Sequence, residues 1–186
     1  MTGLTALWLP ILVSAVIVFV ASSIIHMLLP WHKGDYVAVT DEAQVSAALR
    51  PFAIPPGDYM IPRPEKAANM NSPEFRERVR MGPNLIVTVL PNLPWSMGRN
   101  LTLWLVYCLV VSLFAALALT IALPVGYDHR TVFHLACLTA FLGYGLALWQ
   151  MAIWYRRSWS ATFKSTVDAL VYALLTAATF VWLWPR

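Results

Sequence analysis

The feature that most constrains this chain is where its charges are absent. Residues 1–32 carry no Lys, Arg, Asp or Glu, nor do residues 100–127 or 131–155, and residues 165–185 carry only Asp168. A helix needs about 20 apolar residues to cross a hydrocarbon core about 30 Å thick, and each of these stretches is long enough. Composition agrees, since 59% of the residues are hydrophobic and 12% charged, against roughly 45–50% and about 25% in a soluble domain. The expected fold is an all-α four-helix transmembrane bundle with a small cytoplasmic α+β cap between helices 1 and 2.

Proline and charge set the span limits. Span 1 is expected from Leu4 to Leu29, ended by Pro30, and span 2 from Leu101 to Leu123, ended by Pro124. Span 3 follows from Thr131 to Tyr155 and span 4 from Phe163 to Trp184. The short connection Pro124–Arg130 makes spans 2 and 3 an antiparallel hairpin. The first run lacks the basic region of a secretory signal and is too long for its apolar core, so it reads as a retained span.

Lys33, Arg99, Arg156, Arg157 and Lys164 lie at one set of span ends, and only Arg130 and Arg186 at the other. The basic side is expected in the cytoplasm, with both termini periplasmic and residues 30–99 cytoplasmic. Trp31, Trp95, Trp104, Trp149, Trp154 and Trp159 fit an inner aromatic belt, and Trp8, Trp182 and Trp184 an outer one. Topology therefore explains the net charge of +4 better than a nucleic-acid partner does.

Residues 30–99 hold ten of the thirteen prolines, which disfavours long helices. Short elements are still legible: strands over Asp35–Val39, Asp58–Ile61 and Leu85–Leu90, and a helix over Glu42–Leu49 opened by Asp41 and Gln44 at capping-box spacing. Ser72-Pro73-Glu74 opens another helix that runs to about Arg80. The domain plan is thus 1–29 for helix 1, 30–99 for the cap and 100–186 for helices 2–4.

Small residues recur every four positions: Ser165, Ala169, Ala173 and Ala177 in span 4, Thr139, Gly143 and Ala147 in span 3, and Cys108, Ser112, Ala116 and Thr120 in span 2. Such stripes let helices approach closely. Polar groups inside spans are candidates for function, and the sharpest is Asp168, with Lys164 one turn away on the same face. Lys164 is expected to reach the headgroups and partly neutralise it. His26 matches Asp168 in depth and is expected to pair with it, while Tyr107, Gln150 and Tyr172 complete a candidate intramembrane polar or proton site.

Trp31, Lys33, Arg156, Arg157 and Lys164 read as interface anchors. His32 and Asp35 offer only two ligands and read as a junction, so no metal is expected, and no cofactor. A shared haem is disfavoured because His26 and His134 sit near opposite ends of their spans, about 20 Å apart. Cys108 and Cys137 lie at different depths, which disfavours a disulfide. There is no Walker loop, HExxH, GxSxG or dinucleotide fingerprint, so no catalytic residue is assigned.

The stretch Ser22-Ser23-Ile24-Ile25-His26-Met27-Leu28-Leu29-Pro30-Trp31-His32-Lys33-Gly34-Asp35-Tyr36 resembles the opening motif of a family of small, uncharacterised bacterial inner-membrane proteins. Segments from Leu103 to Ser112 and from Trp159 to Asp168 resemble it too. The resemblance implies a bacterial origin and a four-span layout, and carries no activity. The expected function is a non-catalytic accessory or scaffold subunit that binds other membrane proteins or its own copies within the lipid bilayer. The alternative is a small oligomeric proton-coupled transporter or channel using Asp168.

Overall fold

The computed structural model describes residues 3–94 and 96–185. Trp95 and Arg186, counted above in the inner belt and among the outer charges, lie outside the described residues. Four helices are long and apolar enough to cross a bilayer: α1 (Leu4–Leu28), α4 (Met97–Ala122), α5 (His129–Tyr155) and α6 (Trp159–Trp182). Between α1 and α4 the chain forms two short helices, α2 (Glu42–Leu49) and α3 (Pro73–Met81), and two strands, β1 (Gly57–Ile61) and β2 (Leu85–Val89). It divides into two compact units, Met1–Tyr36 with Ser96–Arg186, and Val37–Trp95.

The first unit is the helical bundle, and its core has two layers. One layer gathers Leu7, Leu119, Leu123, Val132, Phe180 and Trp184, at the end where the Gly126 N–H donates to the Pro185 carbonyl at 3.1 Å. The other gathers Ala15, Val18, Val111, Ala140, Tyr144 and Tyr172. Trp184, expected in an outer belt, is instead a core residue, only 6% exposed.

Small residues make the close approaches. Ala169, Ala173 and Ala177 of α6 are all buried within this bundle, and Ser165 is half-buried. Between α1 and α4 the buried hydroxyls of Ser14 and Ser112 hydrogen-bond at 3.0 Å. In α5 a widened π-type turn over Leu142–Leu146 carries Gly143 and Gly145. A Cβ on Gly143 would stand 3.1 Å from Val111, and one on Gly145 would stand 3.1 Å from the Ala169 Cβ.

Helix limits follow hydrogen bonds, where hydropathy alone places them differently. α4 begins at Met97 and not Leu101, because the Ser96 hydroxyl accepts the Arg99 N–H at 3.3 Å. α6 begins at Trp159, four residues before the expected Phe163, directly after Ser158. α5 opens on Asp128, whose carboxylate accepts the Thr131 N–H at 3.0 Å. It closes on Arg156, a non-glycine residue in the left-handed region with φ 57°, and the Arg157 N–H reaches back to the Met151 carbonyl at 3.2 Å.

In the second unit β1 and β2 pair antiparallel, with Gly57 opposite Val89 and Ile61 opposite Leu85. The Asp41 carboxylate accepts the Gln44 N–H at 2.9 Å to start α2, and the Ser72 hydroxyl accepts the Phe75 N–H at 3.1 Å to start α3. Asp35–Val39 forms no strand, because Asp35 belongs to the bundle unit and its carboxylate bonds there. None of the described residues of this unit is fully buried, as its small size and high proline content would suggest.

Candidate functional site

The site is built where α1 stops. The last turn of α1, Ile24–Leu28, is π-helical and carries His26. Leu29 turns extended, at φ −83° and ψ 146°, and Pro30–His32 makes one tight 3-10 turn. Pro30 dictates this, because a prolyl ring disfavours helical backbone in the residue before it and has no N–H to continue the ladder. The Lys33 N–H then donates to the Pro30 carbonyl at 3.2 Å and the Asp35 N–H to the His32 carbonyl at 3.1 Å. These turns fold the chain back, so that His32 and Asp35 face α6.

A continuous polar network results. His32 Nε2 lies 2.7 Å from Asp168 Oδ2, and His32 Nδ1 lies 2.6 Å from Asp35 Oδ2. Lys164 Nζ donates to Asp35 Oδ1 at 2.9 Å and stands 5.9 Å from the centre of the Trp31 ring. His26 stacks on His32, with ring centroids 4.3 Å apart and planes at 27°. The Asp168, Asp35 and His32 side chains are 6%, 9% and 12% exposed, whereas that of His26 is 48% exposed.

Both ring nitrogens of His32 face carboxylate oxygens, and an imidazole donates from both only as the imidazolium. The hydrogen bond from His32 is the largest influence on the Asp35 carboxyl and, with that from Lys164, holds it below the usual carboxylate range against the opposing effect of its burial.

Several expectations change here. The expected approach of His26 to Asp168 is present, with Nε2 at ion-pair distance, 4.0 Å from Oδ2, but without a direct hydrogen bond. The hydrogen-bonded partner is His32, the residue assigned to the junction. Lys164, expected to neutralise Asp168, bonds Asp35 instead. Gln150 is exposed and takes part in none of the hydrogen bonds among the described residues of this site. Tyr107 donates its hydroxyl to the Gly143 carbonyl at 2.6 Å, which fastens α4 to α5. Lys33, Arg156 and Arg157 are all exposed, as is Trp31.

Tyr172 lies one turn beyond Asp168 on α6 and is buried, with no hydrogen-bond partner for its hydroxyl among the described residues. It packs edge-on against Trp104 and Tyr144, at centroid distances of 6.1 and 5.5 Å. Trp104 in turn donates its indole N–H to the Ser22 hydroxyl at 2.7 Å. An aromatic layer therefore closes the polar site towards the core.

The one sequence sign that could have found His32 is the break itself. Pro30 followed by Gly34 permits a fold-back, and a helical depth count fails beyond a helix end. Three possible ligand atoms, one each from His26, His32 and Asp168, lie within 4.8 Å of one another. Comparison with family models, with curated proteins and with solved structures finds no match.

Proposed function

We propose that this is a multi-pass protein of the bacterial inner membrane, a non-catalytic subunit that binds a cation at His26, His32 and Asp168. The observation that carries this reading is the burial of the Asp168 carboxylate against two imidazoles, His26 from before a helix break and His32 from beyond it. Placing an Asp near the middle of a membrane helix costs roughly 2.5–3.5 kcal/mol on insertion scales, less near the boundary. A carboxylate held in an arrangement of possible ligands has a use for that cost.

The surroundings favour binding at the face over passage through the bundle. Tyr172, Tyr144 and Trp104 pack behind Asp168, and the small-residue stripe Ala169, Ala173 and Ala177 is used inside the chain's own bundle. A proton-coupled carrier would need an open route past these residues. The excess of Lys and Arg at the site's end of the helices supports a cytoplasmic position for it, with both termini periplasmic. The resemblance of Ser22–Tyr36 to small bacterial inner-membrane proteins supports the same compartment.

The test is cation binding by the full-length, tag-free chain in lipid nanodiscs. Sodium, potassium, magnesium, calcium, manganese, cobalt and zinc are each titrated, with binding followed by equilibrium dialysis and thermal shift. At least one of them is expected to bind saturably, with one ion per chain, and Asp168→Asn is expected to abolish it. Absence of saturable binding for every ion removes the proposal.

A further inference from the structure

We infer that the cation is a divalent first-row transition metal, held by His26 Nε2, His32 Nε2 and an oxygen of Asp168. This rests on the cation-binding reading above and names the class of ion. The donor set decides it. Magnesium and calcium are hard ions that take oxygen ligands, whereas two imidazoles with one carboxylate suit ions of the manganese-to-zinc series.

The spacing fits. Ligands about 2.0–2.2 Å from one ion stand roughly 3.0–3.5 Å from each other. His32 Nε2 and Asp168 Oδ2 are now 2.7 Å apart, and His26 Nε2 is 4.0 Å from the same oxygen. All three ligand atoms lie within 4.8 Å of one another, so side-chain adjustment alone would draw them around one ion. The ion takes the place of the proton between His32 and Asp168, while His32 keeps its Nδ1–H donated to Asp35.

Two further features belong to a metal centre more than to a simple junction. The first is the support behind His32. A ligating histidine commonly donates its other ring N–H to a carboxylate, which fixes the ring and its tautomer. Asp35 stands in that place at 2.6 Å and is itself held by Lys164 at 2.9 Å. The second is His26, whose ring makes no hydrogen bond among the described residues yet lies stacked on His32 with Nε2 towards Asp168. Three protein ligands leave positions for water or another small ligand, on the side where His26 is exposed.

The probe is Co2+, titrated into the full-length, tag-free protein in nanodiscs of phosphatidylethanolamine and phosphatidylglycerol, and read by its visible absorption. One equivalent is expected to bind, to be displaced by Zn2+, and to be unaffected by millimolar Mg2+ or Ca2+. His26→Ala is the cleanest variant, because it removes a proposed ligand without removing a hydrogen bond. It is expected to weaken Co2+ binding at least tenfold with helical content and melting temperature unchanged. Asp35→Asn is expected to weaken binding about 10- to 100-fold, and His134→Ala, on α5 away from the site, to leave it unchanged.

Co2+ binding of equal strength in the wild type, His26→Ala and Asp168→Asn shows only adventitious binding and overturns the inference. Saturable binding of Mg2+ or Ca2+ that needs Asp168, with none of Co2+ or Zn2+, overturns the transition-metal assignment and leaves the cation-binding reading standing. If no ion binds, both fall.

Discussion

His26 and His32 have the same side chain and opposite energetic standing. His32 bridges two carboxylates, whereas His26 makes no hydrogen bond among the described residues and stacks upon it. Removing one partner of a buried ion pair leaves an uncompensated charge and costs about 3–5 kcal/mol, whereas a side chain half in solvent with no hydrogen bond costs about 0.5 kcal/mol. His32→Ala is therefore expected to lower the melting temperature far more than His26→Ala, measured with a chelator present. Depth along a helix brings His26 level with Asp168 but cannot follow the chain past Pro30, so it does not reveal His32. Asp128 gives a pH-dependent case. Its carboxylate, ordinarily titrating near 3.8, is held lower mainly by the Thr131 N–H. A group whose folded value is depressed contributes fully above its unfolded value, and loses that contribution as pH falls through its folded one. The advantage of the wild type over Asp128→Ala in melting temperature should be full above about pH 5 and shrink below pH 4. Asp128→Asn should keep its cap throughout.

Elements were legible where hydropathy controls them and less so where local geometry does. The four long helices, the α2 cap at Asp41 and the α3 start at Ser72 and Pro73 follow from sequence pattern alone. The π-type turn of α5 does not, because nothing in its residues distinguishes a widened turn from a regular one. Its effect is to bring Gly145 against α6, where an added Cβ would meet the Ala169 Cβ at 3.1 Å. That atom is fixed to its backbone and cannot rotate away, so the helices must separate. Gly145→Ala is expected to destabilise by about 1–3 kcal/mol, and Ala169→Gly in the same chain to recover much of the loss. If the double variant melts no higher than Gly145→Ala, the contact does not set the helix separation. The end of α5 was equally hidden, since Arg156 is not a stop signal. Its φ of 57° costs an L-residue about 1–2 kcal/mol. Arg156→Gly should raise the melting temperature, provided the bond from the Arg157 N–H to the Met151 carbonyl is kept.

At the scale of the whole molecule, the unit boundaries and the sidedness of the helices belong together. The sequence suggested a cap over residues 30–99, whereas the second unit is Val37–Trp95. Trp31, His32 and Asp35 join the bundle because they contact Lys164 and Asp168, contacts that no local pattern encodes. The end of the bundle that α1 leaves carries Lys33, Arg99, Arg156, Arg157 and Lys164, while at the opposite end the start of α5 carries Arg130. Basic residues near span ends set orientation because they resist transfer across the membrane. Val37–Trp95 and the span ends that flank it should therefore face the cytoplasm. The check uses single added cysteines in bacterial spheroplasts, at Glu65 in the second unit and at Tyr127 in the α4–α5 connection, both exposed. The native Cys108 is buried and Cys137 only half exposed within helices, so background labelling is expected to be low. A membrane-impermeant maleimide should label Tyr127→Cys in intact spheroplasts, and Glu65→Cys only after permeabilisation. Labelling of Glu65→Cys from outside would invert the orientation and place His26, His32 and Asp168 at the periplasmic boundary.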